Sequence, residues 1–147
     1  MPQMIFVNLP VTDLARSTAF YEALGGKKNP QFSDATATCI VFSDTIHAML
    51  LTHEKYSSFT TRPIADARTT SAVLLAMSAD SKDAVNAIAN LAAASGGRAD
   101  PNPMQDLGFM FSRSVEDPDG HVWEYFWMDP AAMGSALLDD EEHTRAV

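Results

Sequence analysis

One arrangement of residues occurs twice in this sequence: an apolar run, an acidic or hydroxyl residue, a helical stretch and a Gly-Gly pair. In the first copy the apolar run covers 4–11 and the Gly-Gly pair stands at 25–26. In the second copy the run covers 71–78 and the pair stands at 96–97. An Asp, Ser or Thr side chain caps a helix by accepting a hydrogen bond from an unpaired amide, and glycine commonly ends a helix. The duplication therefore predicts two copies of one strand–helix unit.

Each predicted helix is followed by a polar loop and by further apolar runs. These runs cover 36–42 and 46–52 in the first half, and 108–115 and 121–128 in the second. The pattern is typical of an α+β fold built from two modules, each with a strand, a helix and two or three more strands. The predicted organisation is a first module at 1–60, a linker at 61–70, a second module at 71–130 and a C-terminal extension with an acidic tail at 131–147.

Composition and charge exclude several classes of protein. Of the 147 residues, 46% are hydrophobic and 20% are charged, which is typical of a globular domain. The net charge of -9 repels phosphate backbones and anionic lipids, so we expect neither a nucleic-acid nor a membrane partner. The single Cys39 forms no intramolecular disulfide. Since the sequence also shows no signal peptide and no long apolar span, we expect a cytoplasmic protein.

Two polar residues interrupt apolar strands. Because side chains alternate between the two faces of a strand, Asn8 shares a face with Phe6, and Glu124 shares a face with Phe126. By the same parity, Leu74 takes the place of Asn8 in the second copy. Burying an ionised carboxylate without a partner is costly in free energy, so we expect Glu124 to face water, a partner or a ligand.

Two motifs resemble those of a known family. The string D-L-x-R-S-x-x-F-Y-x-x-L-G begins at Asp13, and the string D-P-D-G-x-x-x-E ends at Glu124. Together with the duplication, they resemble the vicinal oxygen chelate superfamily of glyoxalases, bleomycin resistance proteins and extradiol dioxygenases, and in particular its glyoxalase-like branch. The resemblance implies two βαβββ modules whose mixed sheets curl into a cup, a small-molecule ligand in that cup, and a homodimer.

Many members of that superfamily bind a divalent metal such as Zn, Ni, Mn or Fe between the first and last strands of both modules. Carried over residue by residue, these positions give an incomplete set of ligands. Glu124 matches the carboxylate of the last strand, and Asn8 offers only a neutral amide oxygen. Leu74, at the corresponding place in the second module, has no donor atom.

The fourth metal position lies on the last strand of the first module. Aligning the two hairpins places Ala48 there, and a one-residue slip places Met49 there. His47 reaches a metal only if the strand register differs from this alignment. A zinc or iron site normally needs at least three good ligands, so we expect a metal to be absent or weakly bound.

Three functions stay open at this point. The first is an enzyme, a glyoxalase-like lyase or isomerase or a dioxygenase, with Glu124 as the catalytic group and Asn8 assisting. The second is non-catalytic binding of a drug or aromatic ligand, and the third is a structural module whose cup is filled by its own side chains. The sequence names neither the ligand nor the way the modules pair, within one chain or across a dimer. The expected ligand-binding residues are Phe6, Asn8, Leu74, Phe111 and Phe126, and the candidate metal ligands are Asn8, His47 and Glu124.

Overall fold

A computed structural model describes residues 1–132, and the acidic tail of the predicted extension lies outside the described residues. The first half contains the elements β1 Ile5–Val11, α1 Leu14–Ala23, β2 Lys27–Asn29, β3 Ala37–Val41, β4 Ile46–Thr52 and α2 His53–Ser57, with one 3-10 turn at Pro30–Phe32. The second half contains β5 Leu75–Ser78, α3 Lys82–Ala94, β6 Arg98–Ala99, β7 Gln105–Asp106, β8 Met110–Glu116 and β9 Val122–Met128. Among these residues, no helix is long and apolar enough to cross a membrane.

The two halves form two mixed sheets with the same plan. The strand order is β1-β4-β3-β2 in the first sheet and β5-β9-β8-β6 in the second, where β7 also pairs with β8. In each sheet the first strand runs parallel to the last strand, and the last strand runs antiparallel to the strand before it. The predicted α+β fold of two βαβββ modules is confirmed. The strand predicted from residue 71 is shorter, because pairing with β9 begins only at Leu75.

The two predicted helices, α1 and α3, begin and end where the sequence indicates, whereas the short helix α2 was not predicted. The Asp13 carboxylate accepts a hydrogen bond from the Arg16 amide at 3.0 Å, and the Ser81 hydroxyl accepts one from the Ala84 amide at 3.0 Å. Each helix then ends at a glycine with a left-handed backbone, with φ of 100° at Gly25 and 94° at Gly96. These caps provide hydrogen bonds for backbone groups at the helix ends from residues nearby in the chain, so the helix ends do not depend on contacts with the rest of the fold.

The helix-facing sides of both sheets contribute to one hydrophobic core. Phe20 and Tyr21 of α1 are fully buried in it, beside Val85 of α3 and Trp123 of β9. The Trp123 indole donates a hydrogen bond to the Tyr21 hydroxyl at 2.9 Å, and that hydroxyl donates to Asp117 at 2.7 Å. Asp117 stands in the turn before β9, so this chain of hydrogen bonds joins the helix of the first module to the last strand of the second.

The turn before β9 also contacts the start of the first helix and the linker. Asp119 accepts two hydrogen bonds from Thr12, from its amide at 3.0 Å and its hydroxyl at 2.7 Å. On the linker, the Arg68 guanidinium donates to the carbonyl oxygen of Pro118. Gly120 has a φ of 97°, and a Cβ added there would collide with the backbone of Arg68. The D-P-D-G turn therefore both closes a hairpin and docks the linker, which fixes where β9 begins.

Candidate functional site

Glu124 lies on the face of the second sheet that points away from α3. It stands opposite Ala76 of β5 and Ser114 of β8 in the sheet register. Its neighbours in the chain, Trp123 and Tyr125, point into the core, where they are 2% and 5% exposed. Strand alternation therefore turns the Glu124 side chain outward, as the sequence predicts.

A groove of about 390 Å³ runs along this face. Among residues 1–132, no hydrogen bond or ion pair engages the Glu124 carboxylate. Arg113 belongs to a strand that borders the groove, but its side chain turns to the α3 side, where it donates to Asp100 at 2.7 and 3.1 Å and to Asn86 of α3 at 2.9 Å. This ion pair raises the pKa of Arg113 and lowers the pKa of Asp100. The lining residues are Leu74, Asn102, Pro103, Gln105, Ser112, Arg113, Ser114 and Glu124.

Asn8 lies on the first sheet, on the face that points away from α1. It is exposed, and in the register it stands opposite Met49 of β4. It lines a cavity of about 190 Å³ whose other walls include Tyr56 of α2, His121 and the linker residues near Ala67. None of the described cavities is lined by both Asn8 and Glu124. Within the described chain these two predicted site residues lie on different sheets, which no strand pairing joins.

His47 shares the Asn8 face, as its spacing from Met49 predicts. It stands opposite Phe6, and the two rings stack with centroids 4.3 Å apart and planes 12° apart. The imidazole is 9% exposed, whereas Phe6 is 45% exposed. The Nδ1 atom of His47 is buried and has no hydrogen-bond partner among residues 1–132.

The register decides which residues of the two modules correspond. The Phe42 amide donates to the Ile46 carbonyl at 3.0 Å, and the Asp117 amide donates to the His121 carbonyl at 2.9 Å. Counting three residues from each carbonyl makes Met49, not Ala48, the counterpart of Glu124. The parallel pairing then makes Ala76 the counterpart of Asn8. The assignment of Leu74 to that place was therefore wrong by two residues along the same face.

These corresponding positions supply an amide oxygen at Asn8, a thioether sulfur at Met49, a methyl group at Ala76 and a carboxylate at Glu124. Thioethers suit soft metals and carboxylates suit hard ones, so the set is mismatched as well as incomplete. Within residues 1–132, no three His, Cys, Asp or Glu side chains are gathered as a metal would require. The residues present do not fit a divalent metal of the family type, and we derive no step through one.

The predicted aromatic walls divide between the core and the outer faces. Phe111 pairs with Trp127, on the face that carries Trp123, and it is 7% exposed within the hydrophobic core. Phe111 was expected to be a ligand wall, but its position in β8 places it on the side of the sheet that faces the helix, so it is a core residue. Phe126, two residues after Glu124, lies on the same face as the carboxylate and is half-buried. His121 points to the helix side and bonds the Pro10 carbonyl at 2.8 Å.

The comparisons with known proteins agree with this architecture. A family model described as the Glyoxalase/Bleomycin resistance protein/Dioxygenase superfamily matches residues 3–125. A hypothetical protein from S. aureus is similar in structure, with a TM-score of 0.71 and 22% identity over 86% of this chain and 95% of that one. No curated protein matches the chain.

Two further solved structures carry more informative descriptions. A glyoxalase/bleomycin resistance protein/dioxygenase family enzyme from Burkholderia phytofirmans has a TM-score of 0.71 and 18% identity, over 86% of this chain and 99% of that one. A bleomycin resistance determinant encoded on transposon Tn5 has a TM-score of 0.59 and 18% identity, over 87% and 99%. At such identities these likenesses establish the fold alone.

Proposed function

Because the chain belongs to the glyoxalase/bleomycin resistance protein/dioxygenase superfamily, we propose that it binds a small organic molecule along the face that carries Glu124. The ligand presents a cationic or hydrogen-bond-donating group to this carboxylate. The observation that carries the proposal is an outward-facing carboxylate with no partner. Glu124 has no ion-pair partner among the described residues, and the Arg113 side chain turns to the opposite face of the sheet, where Asp100 and Asn86 of α3 hold it.

The chemistry of a carboxylate explains this preference. An ionised Glu accepts hydrogen bonds and donates none, and a hydrogen bond to a charged group contributes about 1.5–3 kcal/mol. The net charge of -9 adds a long-range attraction for cations. Exposed Leu74 lines the groove, and half-buried Phe126 lies two residues from Glu124 on the same face, so apolar surface for an aromatic or aliphatic body with an amine is present near the carboxylate.

A second candidate function uses the same carboxylate as a base. A carboxylate with no bonded donor accepts a proton from a bound ligand, and this proton transfer is the step that a metal-free isomerase or lyase requires. In this reaction the proton moves from the ligand to an oxygen of Glu124 and returns to a different atom of the ligand. Dioxygenase chemistry receives no such support, because the donor set around Asn8 and Glu124 does not fit a metal.

We also propose that the protein is a homodimer, because the candidate site is divided within one chain. β1 and β5 are the edge strands of their sheets, and each has one unpaired backbone edge. Apolar residues on β1 and just before β5 are exposed, including Ile5 at 56% and Leu74 at 53%. Pairing β1 of one copy with β5 of a second copy covers both edges. It also brings Asn8 and Glu124 onto one continuous sheet.

Sedimentation velocity tests this assembly. We expect a dimer for the wild type and a monomer for Ile5→Lys, because the charge disfavours edge pairing. Phe32→Lys is the control, since Phe32 is similarly exposed but lies in the 3-10 turn away from both edges. A monomeric wild type at tens of micromolar contradicts the dimer.

Two matched probes test the role of Glu124. Benzylamine and benzyl alcohol have nearly the same shape, but only the amine is cationic. By NMR titration we expect benzylamine to bind the wild type about tenfold more tightly than it binds Glu124→Gln. Benzyl alcohol is expected to bind both alike. Glu22→Gln, which removes an exposed carboxylate of α1, is the control.

Equal benzylamine affinity in the wild type and Glu124→Gln contradicts the proposal. The same samples report on metals through thermal shifts with Zn, Ni, Mn, Fe(II) and Mg, and we expect none that depends on Glu124. One metal that binds stoichiometrically, and whose stabilisation disappears in Glu124→Ala, contradicts the conclusion that the donor set does not fit.

A further inference from the structure

Two uncharged polar side chains lie beside Glu124 on the outer face of the second sheet. Ser112 of β8 stands opposite Gln105 of β7 on one side and opposite Phe126 of β9 on the other. Residues directly opposite each other in antiparallel strands share a face of the sheet, and Phe126 shares the face of Glu124. Ser112 and Gln105 also line the same groove of about 390 Å³ as the carboxylate. All three polar groups therefore border one space.

The register fixes how far these groups lie from the carboxylate. Glu124 stands directly opposite Ser114, so Ser112 is its diagonal neighbour, with about 7–8 Å between the two residues. Gln105 lies one strand beyond Ser112, about 4.8 Å further across the sheet. A ligand that reaches both the carboxylate and this pair needs two polar groups with a spacer, such as a ring, between them.

The hydroxyls of the two serines on β8 have different roles. The Ser114 hydroxyl accepts a hydrogen bond from the Asn102 amide at 2.9 Å and donates one to the Asn102 carbonyl at 3.2 Å, which holds the loop before β7 against β8. Within residues 1–132, no hydrogen bond engages the half-buried Ser112 or the exposed Gln105 side chain. These two side chains therefore have hydrogen-bonding capacity left for a ligand.

The first module shows that the fold does not require a polar residue at the Ser112 position. There Cys39 pairs with Met49, the counterpart of Glu124, and Ala37, two residues earlier, takes the place of Ser112. Ala37 is 7% exposed, so the first module has a buried methyl group where the second has a hydroxyl at an open groove. The backbone plan accepts alanine at this place, so a contact with a ligand accounts for the serine better than folding does.

The chemistry of the pair favours a neutral group that both donates and accepts hydrogen bonds. A Gln amide and a Ser hydroxyl each do both. An anionic group is disfavoured, because Glu124 and the net charge of -9 repel it and the Arg113 guanidinium is turned to the α3 side. An apolar group that covers the pair leaves polar atoms without partners, which weakens binding. A carboxamide meets the requirement, because two amides pair through their N–H donors and C=O acceptors.

We infer that Gln105 and Ser112 form a subsite for a carboxamide group. The ligand of the groove is then an organic amine that also carries a neutral amide, with the amine bonded to Glu124 and the amide bonded to Gln105 and Ser112. The inference rests on the proposed function, since it names a second group of the same ligand.

Two matched amines test the subsite. 4-(Aminomethyl)benzamide and 4-methylbenzylamine share the amine and the ring, but the second has a methyl group in place of the amide. By NMR titration we expect the wild type to bind the amide about tenfold more tightly. Gln105→Met keeps the length of an exposed side chain without its amide and should abolish this preference. Gln31→Met, a change at an exposed Gln of the 3-10 turn, is the control and should keep it.

The unmutated protein gives a direct readout as well. Addition of 4-(aminomethyl)benzamide should move the side-chain amide signals of Gln105 and leave those of Gln31 in place. Equal affinity for the two amines, including no measurable binding of either, overturns the inference. So does a preference that survives in Gln105→Met, or binding that leaves the Gln105 amide signals unmoved.

The two proposals fail separately. Benzylamine reports on Glu124, and the preference for the amide reports on Gln105. If benzylamine ignores Glu124→Gln while the amide preference still depends on Gln105, the charge preference is wrong and the amide subsite stands. If the amide preference ignores Gln105→Met while benzylamine depends on Glu124, the subsite is wrong and the proposed function stands.

Discussion

The two modules repeat one backbone plan but distribute their bulk in opposite ways. In the first module the helix carries the large core residues Phe20 and Tyr21, while the strand beneath carries Ala48. In the second module the register makes Trp123 the counterpart of Ala48, and the facing helix buries small residues such as Ala89. The large core side chains therefore come from the helix in the first module and from the strand in the second, an exchange that a close-packed core tolerates because it constrains volume more than identity.

The outer faces differ in chemistry rather than in volume. Met49 and His47 occupy the last strand of the first module, whereas Glu124 and Phe126 occupy that of the second. Core positions are bound by packing on all sides, but outer-face residues need only suit a ligand or solvent. Duplication therefore preserved the scaffold and left the two halves free to take different parts of a binding site.

The largest expected effect on stability comes from removing the large side chain that the second module places on its last strand. Trp123→Ala should lower the free energy of unfolding by about 3–5 kcal/mol, because it leaves a cavity and deprives Tyr21 of its hydrogen-bond donor. Trp127→Ala, at a half-buried tryptophan on the same strand, should cost clearly less. Urea denaturation measures both changes. Equal losses would mean that Trp123 is not the centre of this packing.

A smaller effect is expected at the turn that joins the modules. Asp117→Ala removes the acceptor for the Tyr21 hydroxyl and for the amides of Asp119 and His121, so it should cost about 2 kcal/mol. The corresponding residue of the first module is Phe42, which makes no such bonds. Asp44→Asn, in the exposed hairpin turn of the first module, is the control and should change stability little.

The same carboxyl predicts a pH dependence. Burial raises the pKa of Asp117 above 3.8, despite the opposing effects of His121 and the hydrogen bonds from Tyr21 and the turn amides. A pKa raised by folding adds stability at low pH, and this contribution is lost as the pH rises through the folded-state pKa. The stability of the wild type relative to Asp117→Asn should therefore fall as the pH rises above 3.8. Urea denaturation across this range checks the sign, and a constant or rising difference contradicts it.

The smallest loss of stability is expected for alanine substitutions at the glycines that end α1 and α3, and it should be the same in both modules. Gly25→Ala and Gly96→Ala each place a side chain on a left-handed backbone with open space around it, so each should cost about 1 kcal/mol. Gly97→Ala should cost more, because its Cβ meets the Glu116 carbonyl and the Phe20 ring. Thermal denaturation ranks the three variants. Unequal costs at Gly25 and Gly96 would show that the two helix ends are not equivalent.

Sequence alone predicted the elements whose signals are local. The helix starts and the glycine stops depend on the nearest few residues, so the sequence placed them to within one residue, and the structure selects Asp13 over Thr12 and Ser81 over Asp80 as the caps. Strand parity placed Glu124 on the same face as Phe126, as the sheet register shows. Phe111 was named as a ligand-binding residue without a face being assigned to it, and only its pairing with Trp127 places it on the core side.

The alignment of the two modules lay beyond local signals. Leu74 was assigned to the Asn8 position because the apolar run begins at residue 71, whereas pairing with β9 selects Ala76. The choice between Ala48 and Met49 was likewise settled only by the hydrogen bonds of the two hairpins. A shift of one or two residues keeps almost the same apolar pattern, so the pattern cannot distinguish the registers.

The sequence by itself determined the duplicated α+β plan, the boundaries of α1 and α3 and the outward carboxylate of Glu124, because each follows from patterns among residues close in the chain. Only the tertiary structure decided three further features: the chain of hydrogen bonds from Trp123 through Tyr21 to Asp117, the Phe6 ring over His47, and the separation of Asn8 from Glu124. These features join residues up to about a hundred positions apart. Strand pairing and close packing in three dimensions select such partners, and no spacing in the sequence encodes them.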